Sequence, residues 1–335
     1  MNGPIAEREG GAASGRLISF GGLLADLVVT VDAVPVRGED TLARDFSQTV
    51  GGGFAVLAAA ARLGMPTALA GVLGDDAIAD AARRALTAEG VELLFPEPRA
   101  GSSGVCLVLV DAGGERTMVT VQGVEAQVQS EDFDAVAPAP GDVVYINGYE
   151  LLYPHGNALV NWVRRVRPEH LVFDPGPLIA EIDPASLDAV LGATRWLSLN
   201  AAEAEALTGE ATPTAAASRA LQRIDVDGPK TADMERFSAH QPGGVVVRDG
   251  AEGCVVLERG GDAVQVPALA AAVVDTTGAG DTHVGAFVAA LARGLGAVEA
   301  CRWANAAAAV VVASRGQVSP PTLAQLRAIL AVTAP

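Results

Sequence analysis

Positive charge is scarce in this chain, and nearly all of it is arginine. The 335 residues carry 23 Lys+Arg against 40 Asp+Glu, a net charge of −17 at pH 7, and Lys230 is the single lysine. An acidic excess of this size argues against nucleic acid or an anionic membrane surface as partner. Any phosphate the protein binds must be met by arginine, by backbone N–H groups or by a metal ion. No apolar run approaches the ~20 residues that cross a bilayer. Cys106, Cys254 and Cys301 stand far apart in apolar runs. That spacing favours isolated buried thiols in a reducing, cytoplasmic setting over a disulfide frame or a zinc site. Gly-x-x-x-x-Gly-Lys-Ser/Thr is missing, so a P-loop is excluded. Gly-x-Gly-x-x-Gly does not follow the first strand, and neither Gly-x-Ser-x-Gly nor His-Glu-x-x-His occurs.

What is present is a sizeable core: half the residues are hydrophobic. Met1 to Gly15 is charged and Gly/Ala-rich without an apolar segment, and reads as a disordered tail rather than a signal peptide. From residue 16, strand-like runs at 17–20, 27–31 and 67–73 alternate with helices at 54–63 and 78–89, each closed by a glycine, Gly64 and Gly90. The rhythm resumes with strands at 143–147, 171–173, 196–199 and 244–248, helices at 158–166 and 201–207, and a long apolar helix at 298–313. Such alternation marks a mostly parallel sheet covered by helices. Residues 224–243 read as a loop or insertion. Residues 101–124 break the rhythm: Val105–Val110 and Thr117–Val121, joined by Asp111-Ala112-Gly113-Gly114, form a β-hairpin. Together with the extended stretch before residue 50 it makes a small second sheet placed as a lid, with segments at about 33–50 and 101–124. Asp26, Asp174, Asn200 and Arg248 each follow a buried strand, where open parallel sheets bind ligands.

The stretch Asp275 to Phe287 carries the chemistry. Gly278-Ala279-Gly280 lets backbone approach a ligand closely. The helix behind it offers unsatisfied N–H groups and its positive dipole end to an anion. Asp281 at the same mouth is a poor neighbour for a phosphate unless it takes a proton from a hydroxyl that attacks that phosphate.

Three separated stretches resemble the PfkB/ribokinase family of sugar kinases: Gly51-Gly52-Gly53-Phe54 with the helix to Gly64, Asn200-Ala201-Ala202-Glu203, and Asp275 to Phe287. The hairpin with Gly114-Glu115-Arg116-Thr117 is similar to the family's lid. The resemblance implies a ribokinase-like three-layer α/β fold over residues 16–335 and transfer of the γ-phosphoryl group of ATP to a sugar hydroxyl. It implies Asp281 as general base, with Gly278, Ala279 and Gly280 forming an anion hole. Asp26, Gly51, Gly52 and Gly53 would seat the acceptor. Asn200, Arg248, Gly250, Gly253 and Asn305 would meet ATP, and Glu203 would hold Mg²⁺ through water. Asp275 and Thr277 either bind a monovalent cation such as K⁺ or bond only within their turn. The others also have plain structural readings: Asp281 as a helix N-cap, Asn200 and Glu203 as a helix start, Asp26 as a turn cap, and the glycines as tight turns. By resemblance the lid also offers a homodimer contact.

The chain departs from the family pattern at Ala55, where an asparagine is usual, at Arg248-Asp249, at Asp174-Pro175-Gly176-Pro177 and at His283, which we read as a packing or substrate-shape residue. A nucleoside kinase of the same family is the nearest alternative, although an aromatic content of 4% favours a sugar. A non-catalytic sugar- or nucleotide-binding regulator is the alternative from another class.

Overall fold

β1 (Leu17–Phe20) is apolar on both faces and wholly buried, as a central strand covered on both sides must be. The structure, a computed structural model, describes residues 12–225, 243–314, 316 and 318–333. The strands after β1 are β2 (Ala25–Thr30), β3 (Asp45–Val50), β4 (Thr67–Ala70), β5 (Glu92–Leu93), β6 (Val105–Val110), β7 (Arg116–Val121) and β8 (Val143–Asn147). β9 (His170–Asp174), β10 (Trp196–Asn200), β11 (Gly244–Arg248), β12 (Cys254–Glu258) and β13 (Val264–Val266) follow. The helices are α1 (Phe54–Arg62), α2 (Ala77–Ala88), α3 (Ser130–Asp134), α4 (Tyr149–Leu152), α5 (Gly156–Val166) and α6 (Pro184–Leu191). They continue with α7 (Ala201–Thr208), α8 (Pro213–Asp225), α9 (Ala279–Ala292), α10 (Ala297–Val312) and α11 (Leu323–Thr333).

Among the described residues, nine strands form one sheet in the order β13-β12-β11-β10-β9-β8-β1-β4-β5. β4, β5, β1, β8, β9, β10 and β11 pair in parallel, while β12 and β13 close the edge antiparallel. Alternate residues of each strand feed opposite cores. Ile18, Val144, Ile146, Leu171, Phe173, Val245 and Val247 pack with α5 to α8 on one side. Leu17, Tyr145, Val172 and Val246 pack with α1, α9 and α10 on the other. This is the expected three-layer α/β fold. α9 lies close against α1 because Gly285 has no side chain: a Cβ there would stand 2.3 Å from Val56 O.

The second sheet has four strands in the order β3-β2-β6-β7. It contains the hairpin and the stretch before residue 50, but only Asp45–Val50 of the latter is strand. β2, which the sequence shows as a strand-like run at 27–31 but does not assign to this sheet, is the strand to which both attach, antiparallel to β3 and parallel to β6. Strand 67–73 is shorter than its apolar run and ends at Ala70. The expected loop 224–243 begins as helix, since α8 runs to Asp225; residues 226–242 lie outside the described residues. Residues 1–11 of the expected tail do too, but Ser14 is fastened: its N–H and Oγ both donate to Ala292 O, at 3.0 and 3.2 Å. Among the described residues no helix is long and apolar enough to cross a membrane. All three cysteines are buried and free, but Cys254 and Cys301 are not isolated, since their thiols are near enough for each to shift the other's pKa. The sheet brings β12 against α10, which sequence distance hides.

Candidate active site

Four neighbouring strands of the large sheet end in polar residues. Asn147 ends β8 and pairs in register with Asp174, the last residue of β9. Asn200 ends β10 opposite Arg248 at the end of β11. Arg248 organises this edge. Its Nη1 donates to Asp174 Oδ2 at 2.8 Å, Ser198 Oγ at 3.0 Å and Gly280 O at 3.4 Å, and its Nη2 stands 3.5 Å from Glu203 Oε2. The side chain is only 13% exposed. Burial by itself would lower the guanidinium, but Asp174 and Glu203 outweigh it and raise it well above its ordinary value, so it stays charged.

Glu203 and Asn200 form a capping box at the start of α7. Asn200 Oδ1 accepts from Glu203 N–H at 2.8 Å, and the Glu203 carboxylate accepts from Asn200 N–H and Nδ2, each at 2.7 Å. The structural reading of this pair therefore holds, yet the carboxylate is buried beside other acids. Burial first, then Asp174, pushes it up to about 7, with Arg248 opposing.

Asp281 is not a helix cap. The N-cap of α9 is Gly278, at φ 70°, and it makes no side-chain cap bond. A Cβ at Gly278 would meet Val318 Cγ2 at 2.6 Å, so a side chain there is excluded by both backbone and space. Ala279 N–H turns back to Thr276 O at 3.3 Å, which closes the turn. Asp281 then lies in the first turn of α9, where N–H groups lack intrahelical acceptors. Loss of hydration, then Asp174, pushes its carboxyl up to about 7, with Arg248 pulling the other way. A carboxyl with a pKa near neutrality is suited to accept a proton at working pH. Asp174, Glu203 and Asp281 give three carboxylates around one guanidinium. Among the described residues no group of three acidic, histidine or cysteine side chains is placed to hold a metal ion; Glu203 alone fits hydrated Mg²⁺, which takes few protein ligands and keeps its waters.

The small sheet supplies the opposite wall. Asp26 projects from β2 against the glycine turn: a Cβ on Gly51 would fall 2.3 Å from Asp26 Oδ2. Gly52 sits at φ +67° with Gly22 O where its Cβ would be, and Gly53 is the N-cap of α1. Burial pushes Asp26 up to about 6, with Arg116 lowering it. Tyr149, in the first turn of α4, feels the charges of both walls: burial raises its hydroxyl first, followed by Cys106, Asp281, Glu203 and Asp26. A shallow groove of about 260 Å³ between β3 and α2 stands apart from these groups.

Other expected residues are placed differently. Gly250 and Gly253 shape the β11–β12 turn, both at positive φ. Asn305 is buried in α10 with its polar atoms engaged: Nδ2 donates to Val266 O and Pro267 O, and Oδ1 faces His283 Nε2 at 3.1 Å. His283 therefore packs between α9 and α10 beside Asn305 and Cys254, away from the acceptor wall, which corrects any substrate-shape role. Ala55 is buried in the first turn of α1. Asp275 accepts from Thr277 N–H at 2.8 Å, the turn bonding that was one of two readings. Sequence reasoning placed Asp174 at the ligand-binding edge without giving it a role, and left Tyr149 and Arg116 out of the site. For Asp174 the signal was a carboxylate at a strand end, and for Arg116 a basic residue just past a hairpin turn.

Known proteins are similar to this chain along most of its length. A family model described as pfkB family carbohydrate kinase matches residues 14–323. The chain is 33% identical over 307 residues to the uncharacterized sugar kinase YegV of Escherichia coli, covering 91% of each chain. It is 30% identical over 325 residues to the ribokinase of Bacillus subtilis, covering 93% of this chain and 98% of that one. The structure of Arabidopsis thaliana ribokinase complexed with ribose and ATP superposes with a TM-score of 0.71 at 26% identity, covering 95% of this chain and 99% of that one.

Proposed function

The chain belongs to the pfkB family of carbohydrate kinases, phosphotransferases with an alcohol acceptor, and on that premise we propose that it moves the γ-phosphoryl group of ATP to a hydroxyl of a sugar or sugar-like alcohol, with Asp281 as the base. The observation that carries this reading is the position of Asp281: in the first turn of α9 rather than capping it, with a carboxyl pushed up to about 7.

The acceptor sits against Gly51 to Gly53 with two of its hydroxyls on Asp26, whose paired oxygens suit a vicinal diol. Asp281 accepts the proton of the reacting hydroxyl. The acceptor oxygen forms a bond to the γ-phosphorus while the bond to the bridging oxygen of ADP breaks, its electron pair leaving with ADP. The N-terminus of α9 stabilises charge developing on the phosphoryl oxygens. Glu203 would hold hydrated Mg²⁺, which would supply neutralisation of phosphate charge when the nucleotide is bound. Arg248 fixes Asp174 and Glu203 and braces Gly280 from below. Asn200 and the Gly250–Gly253 turn border the nucleotide, and Asn305 acts on it only through the Val266–Pro267 segment it holds. Closure of the small sheet keeps water from the phosphoryl group. K⁺ at Asp275 and Thr277 would have to compete with the bond those two residues already make to each other. The reaction and the buried thiols suit a cytoplasmic enzyme.

A nucleoside acceptor is the second reading, favoured by Tyr149, a partly buried aromatic residue that feels the charges of both walls of the cleft. One experiment decides: a panel of sugars and nucleosides in an ADP-forming assay, run with and without K⁺. Turnover of sugars alone supports the first reading, turnover of nucleosides the second. Ligand-dependent thermal shifts without any ADP would leave only a non-catalytic binder.

The small sheet also supports a homodimer. Opposite residues in register share a face, so Leu27, Leu107 and Val119 line up on the face turned from Asp26. Phe46, Val119 and Val121 on that face are 58–61% exposed. An apolar face of this kind on a thin sheet calls for a cover, and a second copy of the same sheet would provide one.

A further inference from the structure

Arg116 has no place yet in this chemistry. It is the first residue of β7, immediately after the hairpin turn. That turn is pinned by Asp111, whose Oδ1 accepts from Gly113 N–H at 2.8 Å and Glu115 N–H at 3.0 Å. The register places Arg116 on the same face of the small sheet as Asp26: Arg116 pairs with Val110, and Cys106, four residues back along β6, pairs with Asp26. From that face its guanidinium crosses to the large domain. Nη1 donates to Thr277 Oγ1 at 2.9 Å and Nη2 to Thr276 Oγ1 at 2.8 Å. These two threonines directly precede Gly278, the N-cap of α9. On its other side, Arg116 is near enough for its charge to lower Asp26. The group therefore stands between the acceptor wall and the helix terminus.

Its partners are informative. Arg248, the other arginine of the cleft, is paired with Asp174 and Glu203 and brings little net positive charge. Arg116 has no carboxylate within ion-pair distance among the described residues; its two contacts are neutral hydroxyls. Charge-assisted bonds from a guanidinium to phosphate oxygens are stronger than bonds to hydroxyls and are often bidentate. A phosphoryl group at the mouth of α9 would compete well for both Nη groups with only a small movement.

We infer that Arg116 is a catalytic residue carried by the small sheet, contacting the phosphoryl group in transit and making closure over the acceptor a condition of transition-state stabilisation. This rests on the kinase reading above. Arg116 forms no covalent bond and moves no proton; it supplies positive charge to the phosphoryl oxygens as the bond to ADP breaks.

The test uses the full chain with Arg116→Ala, Arg116→Lys and wild type, on an acceptor that the panel shows to be turned over. Removing one preorganised donor from a developing oxyanion typically costs 10²–10³ in kcat, and a loss of roughly that size is expected for Arg116→Ala, with the acceptor KM changed less. Arg116→Lys should retain part of the rate, and millimolar guanidinium chloride should restore Arg116→Ala several-fold where sodium chloride does not. A second readout needs no turnover. Mg·ADP with aluminium fluoride and acceptor should bind wild type more tightly than Mg·ADP alone, and Arg116→Ala should lose that gain while keeping its affinity for Mg·ADP. Unchanged kcat with a raised acceptor KM, or an equal loss of Mg·ADP affinity, would overturn the assignment and leave Arg116 a structural latch. A wild type that neither turns over any acceptor nor gains affinity with aluminium fluoride would remove the kinase reading itself, and this inference with it.

Discussion

The two walls of the cleft are built on opposite principles. The edge of the large sheet is buried and internally paired: four strand ends, one arginine and three carboxylates, with Arg248 only 13% exposed. The small sheet is a single layer of four strands whose far face, among the described residues, meets α2 only at the β3 end and is otherwise open, with Val121 61% exposed. It reaches the other wall through Arg116. A packed edge holds its groups within the narrow tolerances that proton and phosphoryl transfer require. A thin sheet with few anchors can move and vary, which suits acceptor selection and closure. Damage to the first wall, and to Arg116 where the second reaches across to it, should therefore appear in turnover, and damage to the rest of the second in acceptor affinity.

The sharpest way to break that division is Asp281→Ala. Kcat should fall by roughly 10²–10⁴, the usual worth of a general base, with an unchanged circular dichroism spectrum. Near-wild-type kcat in this variant would sink the assignment of Asp281. On the second wall, Gly51→Ala drives a methyl into the Asp26 carboxylate. The acceptor KM should rise by at least about tenfold, the equivalent of ~1.4 kcal/mol, while nucleotide affinity stays near wild type. A matching fall in nucleotide affinity would contradict the separation of walls.

pH offers a gentler probe. Asp281 and Glu203 lie at about 7 and Asp26 at about 6, all above their ordinary values. A carboxyl raised in the folded state contributes stability that is complete below about pH 4 and is lost as pH rises through 6 to 7. The ligand-free protein should therefore melt at a lower temperature at pH 8 than at pH 5. Asp281→Asn should melt above wild type at pH 8, with a smaller difference at pH 5; differential scanning calorimetry at the two pH values reads both. A variant that gains nothing at pH 8 would show that burial does not strain this carboxyl. The smallest effect expected on catalysis comes from the outer face. Val119→Lys should convert a dimer to a monomer in sedimentation equilibrium with kcat close to wild type, and a wild type already monomeric would refute the dimer.

The glycine turn at 278–280, α9 behind it, the glycines at 51–53 and the strand–helix alternation were all legible in the sequence. Each depends on backbone sterics or on apolar periodicity within a few residues. The central place of β2 was not, because a short apolar run does not say which sheet it joins. His283 was read as a packing or substrate-shape residue, and only the packing of α10 against α9, which gives it Asn305 as a partner, decided for packing. Arg248 was placed beside the nucleotide by resemblance, whereas its link to Asp174 spans 74 residues and that to Glu203 spans 45.

By itself the sequence determined the fold class, the family and the turns that carry the chemistry, because these follow from local conformational limits and hydrophobic pattern. Only the tertiary structure decided which charges meet: Arg248 among three carboxylates, Asp26 against Gly51, and Arg116 across the cleft on Thr276 and Thr277. Those meetings depend on strand order and register, which bring distant residues together in surroundings poor in water. There the removal of hydration, more than residue type, sets how strongly each charge is held.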